Sequence, residues 1–374
     1  MEDAVVHAWP ELDPALMAPV AEREQLREVV RDLLRKHADH EQVRAAAGST
    51  GGYSADLWRR LNAELEVGRL AVPEQVGGHG FGIADLAVVL EECGAALLPE
   101  PVLSSAVLGC QALAAADQPA GIGDLLEPAL AGDAVVAVSL GGSRLTAERA
   151  GGEWLVSGRR ERVLHGAAAD LVVVDAATPE GIALFVLRAD DLAVTERTTI
   201  DPTRRQADLG AGAVPARCVV GPERSPRVVE RLRSLGDLAV AAEHTGIVGE
   251  LLRSTVEYVE QREQFGRAIG SFQAVKHRLA DVLVDRERAR SASRCAAVAF
   301  DAGPGEAALP VAIAAAVCAD AAMRTAHESV QLHGGIGFTW EHHAHGYVRR
   351  VLGDEGLFGS SREQRARVAD LVGV

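Results

Sequence analysis

Lysine is nearly missing from this sequence: of 38 basic residues only Lys36 and Lys276 are lysines, and 53 acidic residues leave a net charge of −15. A nucleic-acid surface needs a basic stripe to neutralise phosphates, so that class is excluded, and an anionic ligand would have to be met by a local group of arginines. Arginine in place of lysine, with abundant alanine, is the composition of a GC-rich genome. Cysteine is sparse as well. Cys93, Cys110, Cys218, Cys295 and Cys318 are odd in number, widely spaced and form no C-x-x-C pair, which reads as buried thiols in a reducing cytoplasm. The acidic opening Met1-Glu-Asp-Ala-Val lacks a signal-peptide pattern. No uninterrupted apolar run reaches the roughly twenty residues that a membrane span requires. The Ala-rich segment from Leu309 comes nearest and is broken by Asp320 and Arg324.

What is present is a long chain, 374 residues with 48% hydrophobic, enough for two or three domains with sizeable cores. Leu26, Val29, Val30, Leu33 and Leu34 fall at helical spacing, Leu57 to Leu65 repeats the theme, and Ile83 to Ala95 is helical again. The glycine-rich stretch Leu70 to Gly82 has no preceding strand and no βαβ frame, so it reads as a loop and not as a dinucleotide fingerprint. Near Ala134 the pattern turns to short β-type runs: Val135–Leu140, Trp154–Val156, Leu171–Val174, Ile182–Leu187 and Leu192–Val194, with Gly151-Gly152 as a hairpin turn. Strands in succession without helices between them predict a small antiparallel barrel or sandwich. Helical stripes return at Ile247–Val259 and Phe272–Leu283. Pro310 is placed to open a third long helix, and Ser361-x-x-Gln364 reads as a capping box for a last one. The expected layout is an N-terminal helical domain (1–132), a middle β domain (133–230) and a C-terminal four-helix bundle (231–374).

Two islands punctuate the C-terminal third. The first, Arg262-Glu-Gln-Phe-Gly-Arg-Ala-Ile-Gly-Ser-Phe-Gln273, sets a guanidinium, an aromatic ring and an amide on a glycine-broken connection between helices. Such a kit suits a nucleotide, because Arg pairs with pyrophosphate oxygens in a planar fork and Phe offers a flat face. The second is Gln331-Leu-His-Gly-Gly-Ile-Gly-Phe-Thr-Trp-Glu341. Together they resemble the acyl-CoA dehydrogenase family, whose signatures run R-x-x-F-G-x-x-(I/L)-x-x-x-Q and Q-x-x-G-G-x-G-(F/Y). Leu70 to Gly82 is similar to the family's V-P-E-x-x-G-G connection, and the resemblance covers essentially the whole chain. It implies the same helix, β, bundle architecture, FAD as cofactor, and α,β-desaturation of an acyl-CoA thioester with electrons passed to an electron-transferring flavoprotein. Arg262, Phe265, Gln273, Gln331, Gly334 and Gly335 match the family's adenine-side positions one by one.

The same resemblance shows what is missing. The family's base is a carboxylate with a pKa tuned by burial. In the medium-chain pattern it precedes a glycine about two dozen residues after the G-G pair, and here that position is Phe358, followed by Gly359. A second family position for the base falls on Gly236, and the next residue, an Arg in typical members that helps hold the thioester ligand, is Asp237. Asp237, Glu243, Asp354 and Glu355 are the nearby carboxylates able to substitute. On the flavin-ring side, Val138-Ser-Leu-Gly-Gly-Ser143 and Arg162-Val-Leu-His-Gly166 replace the family's loop and strand, with Ser139 left as one hydroxyl contact.

A chain that keeps the adenine side and loses the base resembles the non-catalytic subunit of heteromeric, α2β2-type members known from actinobacteria. In such an assembly a sister chain supplies the base. The alternatives are a homo-oligomer with a relocated carboxylate, acting on an acyl-CoA or carrier-protein thioester, and a non-catalytic binding homologue. Glu341-His-His-Ala-His345 offers two donors on one helical face, short of the three or four convergent ligands a metal needs, so no metal is expected. Arg349-Arg350 reads as a solvated or interface pair.

Overall fold

The computed structural model describes residues 20–141, 145–339 and 342–374. Ser143, Trp340, Glu341 and the opening residues Met1 to Val5 therefore lie outside the described residues. In chain order come helices to residue 131, strands from 136 to 220, then helices to residue 372. By contact the chain forms two compact units. One comprises Ile83–Leu98 and Asp237–Val374 with the described part of Met1–His40; the other comprises Glu41–Gly82 and Pro99–Gly236.

The second unit begins at Glu41, within α2 (His40–Gly48), and continues with α3 (Ala55–Leu65), α3 started by the Ser54 side chain accepting from Leu57 N. Residues 70–82 form the expected loop, tightened by one 3-10 turn at Glu74–Val76. A Cβ at Gly78 would lie 2.0 Å from the Val72 carbonyl oxygen, so the loop folds back onto its own backbone there. A π-helical stretch, Val102–Gly109, continues as α5 (Cys110–Ala114), and α6 (Gly123–Ala131) follows. The strands are β1 (Val136–Ser139), β2 (Leu145–Ala150), β3 (Glu153–Leu164), β4 (Leu171–Thr178), β5 (Gly181–Arg188), β6 (Ala193–Arg197) and β7 (Gln206–Val220).

Pairing runs β4-β2-β3-β7-β5 and returns from β5 to β4, which closes a barrel; β1 adds to β4 and β6 to β7. Most pairs are antiparallel as expected, but β1 and β2 both lie parallel to β4. Gly151 and Gly152, both at positive φ, make the β2–β3 turn. The barrel interior is apolar, with Val156, Val172, Val174, Phe185 and Leu209 among its buried residues.

The first unit holds α1 (Ala21–His37), α4 (Ile83–Ala95) and the bundle. Arg27 and Arg31 on α1 reach the buried carboxylates of α4, Arg31 donating to both oxygens of Glu92 at 2.8 and 3.0 Å. Val29, expected in the apolar stripe, faces solvent. Where α4 meets α7 (Ser225–Gln261), glycines allow the backbones to touch: a Cβ at Gly246 would sit 1.7 Å from Glu91 O, and one at Gly94 would sit 2.1 Å from Glu243 O. Asp301 accepts from Ile83 N and Ala84 N (2.7 and 3.0 Å), satisfying two orphan donors at the start of α4.

The bundle continues with α8 (Gln273–Ala302), α9 (Pro304–His333), α10 (Ala344–Phe358) and α11 (Ser361–Val372). Three sequence expectations are corrected. The third long helix begins at Pro304, leaving Pro310 inside it. The capping box uses Ser360 and Glu363, one residue earlier than read, because Ser360 holds the extended backbone that an N-cap needs. Arg350 is fully buried and donates to Leu98 O at 3.1 Å. The stretch Glu306–Gly337, on α9 and the turn after it, is long and apolar enough to cross a membrane by length and composition although Asp320 and Arg324 interrupt it, and 61% of its most apolar window is buried inside the protein.

Candidate functional site

The first island folds as a miniature hairpin. Beyond α7, β8 (Glu263–Gln264) pairs with β9 (Arg267–Ala268), and Phe265-Gly266 is the two-residue loop. Both loop residues have positive φ, +53° and +77°, the pattern of a type I′ turn. Phe265 is 92% exposed. It meets Phe272 edge to face at 6.2 Å, and the Arg267 guanidinium covers the Phe272 ring at 4.0 Å. Arg262 and Gln273 are exposed on either side. A guanidinium, a ring and an amide are thus presented outward from one connection.

The second island ends α9. Gln331 is on the last turn, Gly334 has φ +64°, and a 3-10 turn covers Gly334–Phe338. Cβ atoms at Gly334 and Gly335 would meet nothing within 4 Å, so backbone is open to a ligand there. The structure ties this island to the first: Tyr258, four residues before Arg262, donates its hydroxyl to His333 O at 3.2 Å. An exposed Arg, an exposed ring and bare glycine backbone fit the adenosine-diphosphate half of FAD, with Arg262, Phe265, Gln273, Gln331, Gly334 and Gly335 as the groups that would hold it.

The carboxylate candidates meet a pocket elsewhere in the same unit. It is lined by Asp237, Val240, Ala241 and His244 of α7, Ala315 and Ala319 of α9, Asp354, Glu355 and Phe358 of α10, with Gly359 and Gln364. Phe358, at one family base position, lines it, and so does Asp237, the residue after the other position, Gly236. Asp237, 7% exposed, accepts from Gln364 Nε2 at 3.2 Å and pairs with Arg367 at 2.9 Å. His244 Nε2 lies 3.2 Å from Asp354 Oδ2, both residues buried. Glu355 is half-buried at the rim. Glu243 is buried but does not line the pocket. Two further polar atoms there, His244 Nδ1 and Gln364 Oε1, have no hydrogen-bond partner among the described residues. His244 and Arg367 carry no motif, and Gln364 is marked only as part of a capping box, not as a pocket residue.

Ser139 is half-buried at the end of β1. In the turn after it, Gly141 N donates to Asp175 Oδ1 at 2.9 Å, and the buried Arg160 bonds Gly141 O and Asp175. That turn is therefore held by the chain's own ion pair. Of the Glu341–His345 stretch, Glu341 is outside the described residues, and among those described no cluster of three metal-type donors occurs.

A closed β barrel encoded between helical segments, with an outward hairpin and a bare glycine turn on a bundle of long helices, is the helix, barrel and bundle architecture that the resemblance to the acyl-CoA dehydrogenases implies. Family comparison makes this specific: the acyl-CoA dehydrogenase N-terminal domain matches residues 20–132 and the C-terminal domain residues 229–373. The chain belongs to the acyl-CoA dehydrogenase family of FAD-dependent oxidoreductases. It is 36% identical over 352 residues to the acyl-CoA dehydrogenase IpdE2 of Mycobacterium tuberculosis, covering 94% of this chain and 98% of that one. Among solved structures it is similar to a chain of the ChsE4-ChsE5 complex from Mycobacterium tuberculosis, at 30% identity and TM-score 0.87 over 97% of this chain and 99% of that one. It is also similar to a chain of the Tcur3481-Tcur3483 steroid ACAD, at 29% identity and TM-score 0.85 over 94% and 98%.

Proposed function

We propose that this chain is the cofactor-completing subunit of a heteromeric acyl-CoA dehydrogenase, working with a sister chain that supplies the catalytic carboxylate. The observation that carries the reading is the pairing of a fully presented hairpin, Phe265 at 92% exposure, with the absence of a carboxylate at both family base positions, Phe358 in the pocket and Gly236 next to Asp237 in sequence. Beyond its edge contact with Phe272, a phenylalanine held outward on a left-handed turn has nearly all its surface left to bury against another molecule. The similarity to chains of two-protein complexes supports the same assembly.

In this reading Arg262 binds the cofactor diphosphate, Phe265 covers the adenosine half, and Gln273, Gln331 and the Gly334-Gly335 backbone fix its orientation. FAD, when bound, supplies the acceptor for the hydride leaving the β-carbon of an acyl-CoA thioester. The α-proton goes to the sister chain's carboxylate. Asp237 takes no part, since Arg367 and Gln364 hold it within this chain. Electrons leave to an electron-transferring flavoprotein, in the cytoplasm. The second reading is a homo-oligomer with a relocated base, and what favours it is that Asp354 and the half-buried Glu355 reach the same pocket as Phe358.

The test is flavin content and native mass of the chain alone and co-expressed with its sister dehydrogenase. A colourless chain that becomes a yellow mixed tetramer supports the heteromer. A homo-oligomer fully loaded with FAD, bleached by an acyl thioester, overturns it and makes Glu355 the first residue to replace.

A further inference from the structure

Five rings stack in one run through the cofactor end of the bundle. Tyr258 lies on His333 with centroids 4.4 Å apart, and His333 meets His342 at 4.2 Å with the planes tilted by 44°. His342 lies on His343 at 4.5 Å with planes 22° apart, and His343 on His40 at 3.7 Å and 13°. Tyr347 meets the edge of His343 at 5.9 Å. The two ends of the first step are the roots of the two islands: Tyr258 precedes Arg262 by four residues, and His333 stands between Gln331 and Gly334. His342 and His343 lead into α10.

Hydrogen bonds fix the first rings. His333 Nδ1 lies 2.7 Å from Ser329 O, so it carries the proton and donates. Thr255 Oγ1 donates to Ser329 Oγ at 2.9 Å, joining α7 to α9 one turn deeper. We propose that this stack positions the two cofactor-contacting islands against each other, so that Tyr258, His333, His342 and His343 are positioning residues for the adenine half of the cofactor. The inference rests on the reading of the islands given above.

Stacked neutral rings attract through their faces and edges, whereas two imidazolium ions at this spacing repel. Burial, then the neighbouring imidazoles, push His342 down to about 4, and burial with His40, His342, His333 and Arg253 pushes His343 down to about 3. Burial lowers His40, against Glu250 and Asp39 and with Arg253, and lowers His333 against its bond to Ser329. Burial and Arg349 lower His345 beside them. Folded values below the free value of 6.5 mean that the stack is neutral at pH 7 and loses its contribution as pH falls from about 6.5 toward 4 and 3.

The experiment acidifies the FAD-loaded complex with the sister chain from pH 7.5 to 3.5, reading released flavin by its fluorescence and helicity by far-UV circular dichroism. The wild type is expected to shed flavin at a higher pH than it loses helix. The double variant His342→Phe/His343→Phe, which stacks without titrating, should move release about one pH unit lower. His342→Gln alone should shift it in the same direction, which keeps the test open if the double variant folds poorly. Tyr258→Leu should loosen FAD at pH 7.5 about tenfold with unchanged helicity, and Tyr258→Phe should restore most of it. An unshifted release midpoint in the histidine variants, or full FAD retention by Tyr258→Leu, overturns the positioning role while leaving the heteromer standing. A wild-type complex with no flavin at pH 7.5 overturns both.

Discussion

Replacing Phe265 with Asn separates what the hairpin costs this chain from what it gives an assembly. Phe265 sits at φ +53°, a conformation that costs an L-residue about 1–2 kcal/mol, and Asn before Gly is the preferred pair for this turn. The variant chain, alone, should therefore be more stable by about 1 kcal/mol. At 92% exposure the ring has nearly all of its surface left to bury, worth about 1.5–3 kcal/mol against a partner. Losing that should weaken association with the sister chain about 10- to 150-fold. Sedimentation of mixed chains over a concentration series reads the association, flavin content reads the cofactor, and a thermal scan of the single chain reads the turn. If Phe265→Asn assembles and loads FAD like the wild type, or lowers the melting temperature, the hairpin is not the docking element argued for.

Three further outcomes are expected. Gly246→Ala would stabilise an exposed helix by about 1 kcal/mol, but here its Cβ meets Glu91 O at 1.7 Å; overpacking of about 1–3 kcal/mol or more should prevail, seen as a lower melting temperature. Glu100 is buried, and burial raises it to about 7 against bonds from Ser54 N and its own backbone N–H. Because the unfolded carboxyl ionises near 4.5, stability falls as pH rises from about 4.5 to 7, by a penalty on the order of 3 kcal/mol. Glu100→Gln should then raise the melting temperature at pH 8 and leave it almost unchanged at pH 4.5; equal shifts at both would contradict this. Phe358→Glu returns a carboxyl to the pocket but leaves Asp237 paired with Arg367, so it should give no appreciable flavin reduction by an acyl-CoA. Brisk turnover would show the pocket to be misread.

The helix Ile83–Ala95 and the Gly151-Gly152 turn were legible in the sequence because periodicity and paired glycines are local signals. The strands β2 and β7 were not. Leu145-Thr-Ala-Glu-Arg-Ala150 buries only two side chains, and the 15 residues of β7 are rich in alanine and glycine with Pro215 inside, so neither shows β-type composition. The stretch Val102–Gly109 is buried on every side, which erases any period that could mark it as helical. The two islands that carry the family resemblance were readable since each is contiguous. The pocket was hidden because its bonds join residues 110, 127 and 130 positions apart, and the ring stack because it gathers rings from Tyr258, His333, His342 and His343 with the distant His40.

The bond from Asp301 to the start of α4 spans 218 residues, and it bears on how the chain is made. During synthesis Glu41–Gly82 and Pro99–Gly236 are all available to one another once residue 236 has emerged. Helices α1 and α4 are made before or within that unit but belong to the other, so α4 must wait for Asp301, about two hundred residues later, before its first amides find their acceptor. At ribosomal speeds of about 5–20 residues per second that is on the order of ten to forty seconds. Through most of that interval a helix with 11 of its 13 residues destined for burial has α1 but not yet α7 or α8 to lie against, so α4 is left apolar and incompletely covered on the nascent chain.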